Sequence, residues 1–367
     1  MTKRPALIVD HEKLRYNMST VTGWCREAGI DVAGVIKATT GMASVALDYE
    51  SCGAKWIASS RLEQLVRAKE AGVKIPLLMI SIPMLSEVEE MVRVCDYSLQ
   101  SSLDTLKAVN EAARNNGRTH NVILMADLGD LREGFFEKQE LADVAAYVEK
   151  ELDCIYLAGI GTNLGCVGSV KPTKEKMDML ADWAEAVEAA IGRPLEIVSG
   201  GATSSLMPLF DGVMNPKVNM LRIGAVSYIG ALEDLRTCYG REEVDVLSDE
   251  CFILETEVIE TNTKPTYPIG ELGVDASGKV GNYVDRGRRR RAILAVGRAD
   301  YGDIDDIVPV LEGAEVMMAS GDHTILDIED CKEQLRVGDV VRFKVKYSAL
   351  MRLTTSENIT IEENYRQ

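Results

Sequence analysis

The sequence predicts a chain in two parts, a (β/α)8 TIM-type barrel followed by an all-β domain. Three observations carry that expectation. Eight short runs, apolar on both faces, recur between about Asp31 and Gly230, and amphipathic stretches separate them. After roughly Glu233 the texture changes to short β-branched segments with turn residues between them. No Gly-x-Gly-x-x-Gly fingerprint follows an early strand, which favours a closed barrel over an open doubly wound sheet.

The runs are Val32–Ile36, Trp56–Ala58, Leu77–Ile80, Tyr97–Leu99, Val122–Ala126, Ile155–Ile160, Leu195–Val198 and Met220–Ile223. Each is bounded by turn residues, as buried parallel strands require. Between them Ser60–Ala71, Ser102–Asn116, Glu140–Glu151 and Thr173–Ala190 have helical periodicity. Ser102 reads as an N-cap, and Gly72 and Gly117 as stops. In the second part Phe252–Glu260, Arg291–Val296, Glu315–Ala319, His323–Ile328 and Val340–Val345 read as strands, and Ala6–Val9 is free to join them. The expected division is therefore a barrel at 11–232 and a β-rich domain made of 1–10 plus 233–367.

Composition narrows the function. A net charge of −17 argues against binding nucleic acid or an anionic membrane. No run of apolar residues is long enough to span a bilayer. The stretch Met1–Asp10 lacks the long apolar region and cleavage site of a signal peptide. The eight cysteines include no Cys-x-x-Cys pair, which suits reduced thiols in a cytoplasmic protein. Three histidines, His11, His120 and His323, are too few for a multi-histidine metal site, and none is expected. The basic cluster of Arg286 with Arg288 to Arg291 reads as a solvated turn entering a strand.

In a barrel of this kind, functional side chains stand at the C-terminal ends of strands. Lys37 ends the first run, in Val35-Ile36-Lys37-Ala38. Partial desolvation there favours the neutral amine that Schiff-base chemistry needs; the alternative is a lysine snorkelling from the rim. Asp127-Leu128-Gly129-Asp130-Leu131-Arg132-Glu133-Gly134 follows the fifth run and Gly161-Thr162-Asn163-Leu164 the sixth. The seventh leads into Ser199–Ser205, and the eighth into Arg222-Ile223-Gly224-Ala225. Two late small-residue turns beside helix starts can close backbone N–H groups and hydroxyls on a phosphate.

On these motifs the chain resembles the alanine racemase-like group of fold type III pyridoxal phosphate (PLP) enzymes over nearly its full length. Within that group it is similar to ornithine racemases through Asp127–Phe135, Ile197–Gly201, Pro268–Ala276, Arg290–Gly297 and Gly321-Asp322-His323. The resemblance implies that Lys37 holds PLP as a Schiff base and that Arg222 meets the pyridine nitrogen. An arginine there keeps that nitrogen unprotonated, which weakens the electron sink and suits racemisation. It further implies that Arg132 faces the phenolic oxygen, that Asn163 lies against the ring, and that Thr203, Ser204, Gly224 and Ala225 hold the phosphate. The implied working unit is a homodimer with shared sites, acting on a small amino acid.

Two departures stand out. Alanine racemases carry a phosphate-binding tyrosine four residues after the lysine, where this chain has Gly41, with Thr39 or Thr40 as substitutes. Their catalytic tyrosine from the β domain is matched here by Arg298, which cannot act as a base. A two-base racemase needs another acid/base, and His323 is favoured over Tyr301, Cys166 and Tyr347 because its unperturbed pKa is about 6.5. Asp322 beside it could modulate its proton. For a basic substrate such as ornithine, Asp300, Asp303 and Asp322 are candidate partners of the side-chain amine. The rival readings are racemisation of alanine or lysine, a metal-dependent D-amino-acid aldolase or dehydratase on the same scaffold, and a PLP-homeostasis protein without turnover.

Overall fold

A computed structural model describes residues 3–225, 229–274, 278, 280–281 and 283–365, with backbone alone for 229–231. Asp275 and Ala276, at the end of the Pro268–Ala276 motif, lie outside the described residues. The chain forms two compact units. One comprises residues 14–226 and 234–247, the other 1–13, 227–233 and 248–367.

Strand β1 (Ala6–Asp10) belongs to the β-rich unit and leads into the helix His11–Glu27. The next eight strands are β2 (Asp31–Val35), β3 (Trp56–Ser59), β4 (Leu77–Met79), β5 (Tyr97–Gln100), β6 (His120–Met125), β7 (Ile155–Gly161), β8 (Ile197–Ser199) and β9 (Met220–Ile223). They pair in parallel and in order, and β9 returns to β2 to close the barrel. All eight expected runs are strands, within a few residues at each end. Ser102 caps the helix Leu103–Asn115 by accepting from the Asp104 N–H at 3.3 Å. Gly72 and Gly117 follow their helices in the left-handed region, with φ of +92° and +60°.

Alternate residues of each strand point inward, so the barrel is filled rather than hollow. Ala33, Val35, Ala58, Leu99, Ile123, Met125, Ala158, Ile197 and Met220 form that core, with Trp56, Tyr97 and Tyr156 packed against it. Above them the same inward alternation presents polar residues, and these make the mouth. His11 and His120 are fully buried, so of the three histidines only His323 is exposed. Burial lowers the His120 imidazole to about 4, and it meets Ser98 Oγ at 2.9 Å. It is therefore a neutral core residue at neutral pH.

The second unit is one mostly antiparallel sheet. It comprises β1, β10 (Phe252–Pro265), β11 (Arg288–Leu294), β12 (Ile307–Pro309), β13 (Glu315–Ala319), β14 (Thr324–Asp327), β15 (Val340–Val345) and β16 (Thr360–Asn364). The long strand β10 joins its halves: the first half pairs with β1 and β15, the second with β11. The expected partnership of Ala6–Val9 is seen in full, since these four residues pair with Phe252–Glu255. The arginine cluster enters a strand as expected, with Arg286 and Arg288 exposed, but the turn is not wholly solvated. The strand begins at Arg288, and Arg286 and Arg289 converge on Asp327, which is 1% exposed. A buried carboxylate needs such partners, and this one takes two.

One feature of the barrel is set by a missing side chain. In β7 an extra residue, Ala158, is inserted between the partners of Val122 and Ile123 on β6. Next to it, a Cβ on Gly159 would stand 2.0 Å from the carbonyl oxygen of Ile197 on β8. We expect Gly159→Ala to lower the unfolding free energy by at least about 3 kcal/mol, because the obstacle is backbone. Gly192→Ala, at φ +74° with open space around it, should cost only about 1 kcal/mol. Urea midpoints of the two variants check this, and equal costs would refute the packing account.

Candidate active site

Lys37 stands two residues beyond the end of β2, at the start of a 3-10 turn, Lys37–Thr39. The sequence placed it at the strand end itself. The turn is closed by Thr40 N–H donating to the Lys37 carbonyl and Gly41 N–H to that of Ile36, both at 3.0 Å. It continues the inward alternation of Ala33 and Val35 and so carries the amine up into the mouth. The side chain is partly buried, and Nζ has no hydrogen-bond or ion-pair partner among the described residues. Burial lowers its pKa from the ordinary lysine value. Cys166 acts against that shift, Arg132 and Arg222 add to it, and Glu133 opposes it.

Arg222 comes from β9 and is only 4% exposed. Its Nη1 donates to Ser199 Oγ at 2.5 Å, and its Nη2 to the Thr162 carbonyl at 2.9 Å and to Asn163 Oδ1 at 3.5 Å. Burial brings the guanidinium down to about 10, with Glu133 opposing and Arg132 adding. It is still a cation at neutral pH. Asn163 Nδ2 is buried and has no partner among the described residues.

Arg132 lies on the loop after β6, whose ends are pinned by hydrogen bonds from Asp127 N–H to the Phe135 carbonyl and from Phe135 N–H to that of Met125. Inside the loop the Asp127 carboxylate accepts from the N–H groups of Gly129 and Leu131, at 2.9 and 3.1 Å. Leu131 adopts φ +57°, an uncommon conformation for a branched residue. Arg132 Nε and Nη2 meet both oxygens of Glu133, and Nη1 donates to Cys166 Sγ at 3.1 Å. The paired carboxylate holds Arg132 above the ordinary arginine value. A second loop, after β7, locks onto the first. Asp130, 2% exposed, accepts from Cys166 N–H and Val170 N–H at 3.4 and 3.3 Å.

The late small-residue turns are also adjacent. Thr203 Oγ1 accepts from the N–H groups of Gly224 and Ala225 at 3.2 and 3.1 Å, and Ser204 Oγ donates to the Leu164 carbonyl at 2.8 Å. The structure thus brings Lys37, Arg132, Asn163, Arg222, Thr203, Ser204, Gly224 and Ala225 to the same end of the barrel. The two N–H groups expected to hold a phosphate are engaged by a hydroxyl. Gly41 has no room for a side chain, since a Cβ there would lie 2.5 Å from Gln64 Cβ. The hydroxyl of Thr39, a candidate substitute for the missing tyrosine, donates to its own turn at Ile36. Sequence reasoning passed over Glu133, Ser199 and Thr162. Glu133 was legible as the charged neighbour of Arg132; Ser199 and Thr162 were not, because their roles depend on where the Arg222 side chain turns.

The remaining candidates lie in the β-rich unit. The N–H groups of Arg298 and Ala299 donate to the carbonyls of Ser320 and Gly321, seating the short helix Arg298–Tyr301 on the β13–β14 turn. His323 on that turn is exposed, and with Arg298 and Ser320 it lines a cavity of about 690 Å³ walled by Ile259, Ile293 and Ile325. Arg298 Nε is buried and has no partner among the described residues. Asp322 is exposed beside His323. Asp300 is different: it is 6% exposed, and its Oδ1 accepts from Ser356 and Asn358 at 2.8 and 3.1 Å. That carboxylate braces the unit's own loops, which leaves it poorly placed to meet a substrate amine. Tyr301 is fully buried and its hydroxyl meets Thr324 Oγ1 at 2.7 Å, so it too belongs to the core. Among the described residues no three His, Cys, Asp or Glu side chains come together as a metal site, and no helix is long and apolar enough to cross a membrane.

The filled barrel thus carries at its mouth a partly buried amine that has no partner among the described residues. Comparison with known proteins gives the chain its family. The family described as "Alanine racemase, N-terminal domain" matches residues 9–231. An ornithine racemase of Acetoanaerobium sticklandii is 37% identical over 358 residues, 98% of this chain and 99% of the relative. A lysine racemase of Thermotoga maritima is 38% identical over 355 residues, 96% of each. The solved alanine racemase of Streptomyces lavendulae superposes with a TM-score of 0.76 at 16% identity, over 100% of this chain and 98% of that one. The D-threonine aldolase of Filomicrobium marinum gives 0.72 at 16% identity, over 96% of this chain and 89% of that one, and so shares the fold. The chain belongs to the alanine racemase family, and its reaction is a racemisation.

The lowered Lys37 pKa has a consequence for stability. Below its folded pKa the amine is protonated in both states, and the folded state bears the cost of a partly buried charge. Between that pKa and about 10.5 the unfolded chain binds a proton that the folded chain does not, so stability rises with pH through this window. Each tenfold change in proton affinity is worth about 1.4 kcal/mol. Cofactor-free Lys37→Met should therefore be more stable than the wild type at pH 7, with the gap narrowing towards pH 10. Urea midpoints at several pH values check this, and a gap that widens with pH would contradict it.

Proposed function

We propose that this racemase interconverts the L and D forms of a basic amino acid, ornithine or lysine, using PLP attached to Lys37. The observation that carries the reading is the partly buried, unpaired Lys37 amine, in a chain similar over its whole length to an ornithine racemase and a lysine racemase. The residues present fit the cofactor. Among the described residues the Lys37 amine and the buried Asn163 Nδ2 have no partner, and the turns at Thr203–Ser205 and Gly224–Ala225 offer N–H and hydroxyl groups at one corner. The N–H groups of Gly224 and Ala225, which now donate to Thr203 Oγ1, would hold the phosphate if that hydroxyl turned away.

When bound, PLP draws electron density from the substrate Cα and so makes its proton removable. Lys37 moves that proton on one face. Arg222 presents a cation held by Ser199 and Thr162, and keeps the pyridine nitrogen it meets unprotonated. Arg132 offers Nη1 to an anionic oxygen, its other nitrogens being tied to Glu133. Thr203, Ser204, Gly224 and Ala225 hold the phosphate. His323 moves the proton on the opposite face, acting from the β-rich unit of a second copy in a homodimer. Asp322 is the acidic group that receives the substrate's distal ammonium.

Incubated with single L-amino acids and PLP, the protein should form D-ornithine or D-lysine faster than D-alanine, as read by chiral chromatography. Lys37→Ala should abolish the cofactor's visible band at the protein and the turnover with it. His323→Gln should lower kcat by about 10²–10⁴. A preference for alanine would overturn the substrate assignment, and an unchanged rate in His323→Gln would remove that residue as the second acid/base.

A further inference from the structure

Glu133 has no part in the reading above beyond its contact with Arg132, yet its surroundings single it out. Its carboxylate grips Arg132 through both oxygens, and its side chain is 16% exposed against 36% for the arginine. Its charge acts on three basic groups of the mouth, Lys37, Arg132 and Arg222. The loop that carries it is over-determined for the purpose. Asp127 ties two of its N–H groups, Leu131 is held at a positive φ, and Asp130 fastens the neighbouring loop at Cys166 and Val170. Backbone strain of this kind persists only where the surroundings enforce it.

Resting on the proposed role of Lys37, we propose that Glu133 is a positioning residue: it clamps the guanidinium of Arg132 at the barrel mouth and supplies counter-charge to the basic groups there. The clamp leaves Arg132 Nη1, which now meets Cys166, as the nitrogen free to turn towards a ligand. The counter-charge limits how far the neighbouring cations push Lys37 towards its neutral form. A fork-to-fork carboxylate pair fixes both position and orientation, which a single hydrogen bond would not. The charged groups that act on Lys37 include Cys166, Arg132, Arg222 and Glu133, and Glu133 is the carboxylate among these four.

Glu133→Gln keeps the shape and one acceptor while removing the charge. The readout is the labelling of Lys37 by reductive methylation of the full chain across pH 6 to 10, followed by peptide mass spectrometry; it needs neither cofactor nor substrate. With the opposing charge gone, the profile should move to lower pH by on the order of 1 pH unit, so that Lys37 is labelled several-fold faster near pH 8. In the loaded enzyme kcat should fall about tenfold or more, while the melting temperature stays within about 2 °C of wild type. Unchanged labelling overturns the proposal, as does a large fall in melting temperature without a change in labelling. If Glu133→Gln does not fold, Glu133→Asp carries the test. It keeps the charge but is one methylene too short for the same clamp, so it should show wild-type labelling with a reduced kcat; wild-type labelling with a wild-type kcat would overturn the proposal. A wild-type chain that racemises nothing sinks the functional reading alone, because the labelling result stands without it.

Discussion

A primary amine that is partly buried and has no ion pair is costly to keep charged, and the mouth of this barrel is organised around one. Lys37 is carried inward by the alternation of β2 and held there by a closed 3-10 turn. Burial and two neighbouring guanidinium groups favour its neutral form, while Glu133 and Cys166 act the other way. The chemistry proposed for the protein needs that balance. A fully solvated lysine is a poor nucleophile at neutral pH, and one tied to a carboxylate would be worse.

The scaffold around the amine is built from elements that fix one another. Arg222 is anchored by Ser199 on β8 and Thr162 beyond β7, so three consecutive strand ends share one guanidinium. The loops after β6 and β7 are joined by Asp130 and by the contact of Arg132 with Cys166. Precision at the mouth thus comes from hydrogen bonds between strand ends, with the closed barrel below as a rigid base. In the β-rich unit the same economy applies. The helix Arg298–Tyr301 is hydrogen-bonded to the β13–β14 turn, which sets Arg298 and His323 on one cavity.

Much of this was legible in the residues. The eight strands, the added strand Ala6–Val9 and the cluster at the strand ends follow from periodicity and from the rule that barrel function sits at C-terminal ends. What escaped is long-range side-chain geometry. Sequence gives no sign that Asp300 turns to Ser356 and Asn358, that Tyr301 is fully buried, or that two arginines close on Asp327. Nor does it show that Thr203 engages the N–H groups of Gly224 and Ala225. Motif position places a residue near a site; only its partners decide whether it remains available there.

The central claim is that the Lys37 amine is the group that bonds the cofactor aldehyde. Borohydride reduction of the protein after exposure to PLP, followed by peptide mapping, tests it directly. The account predicts one stoichiometric pyridoxyl label, on Lys37. A label spread over surface lysines, or a principal label on any other residue, would contradict it.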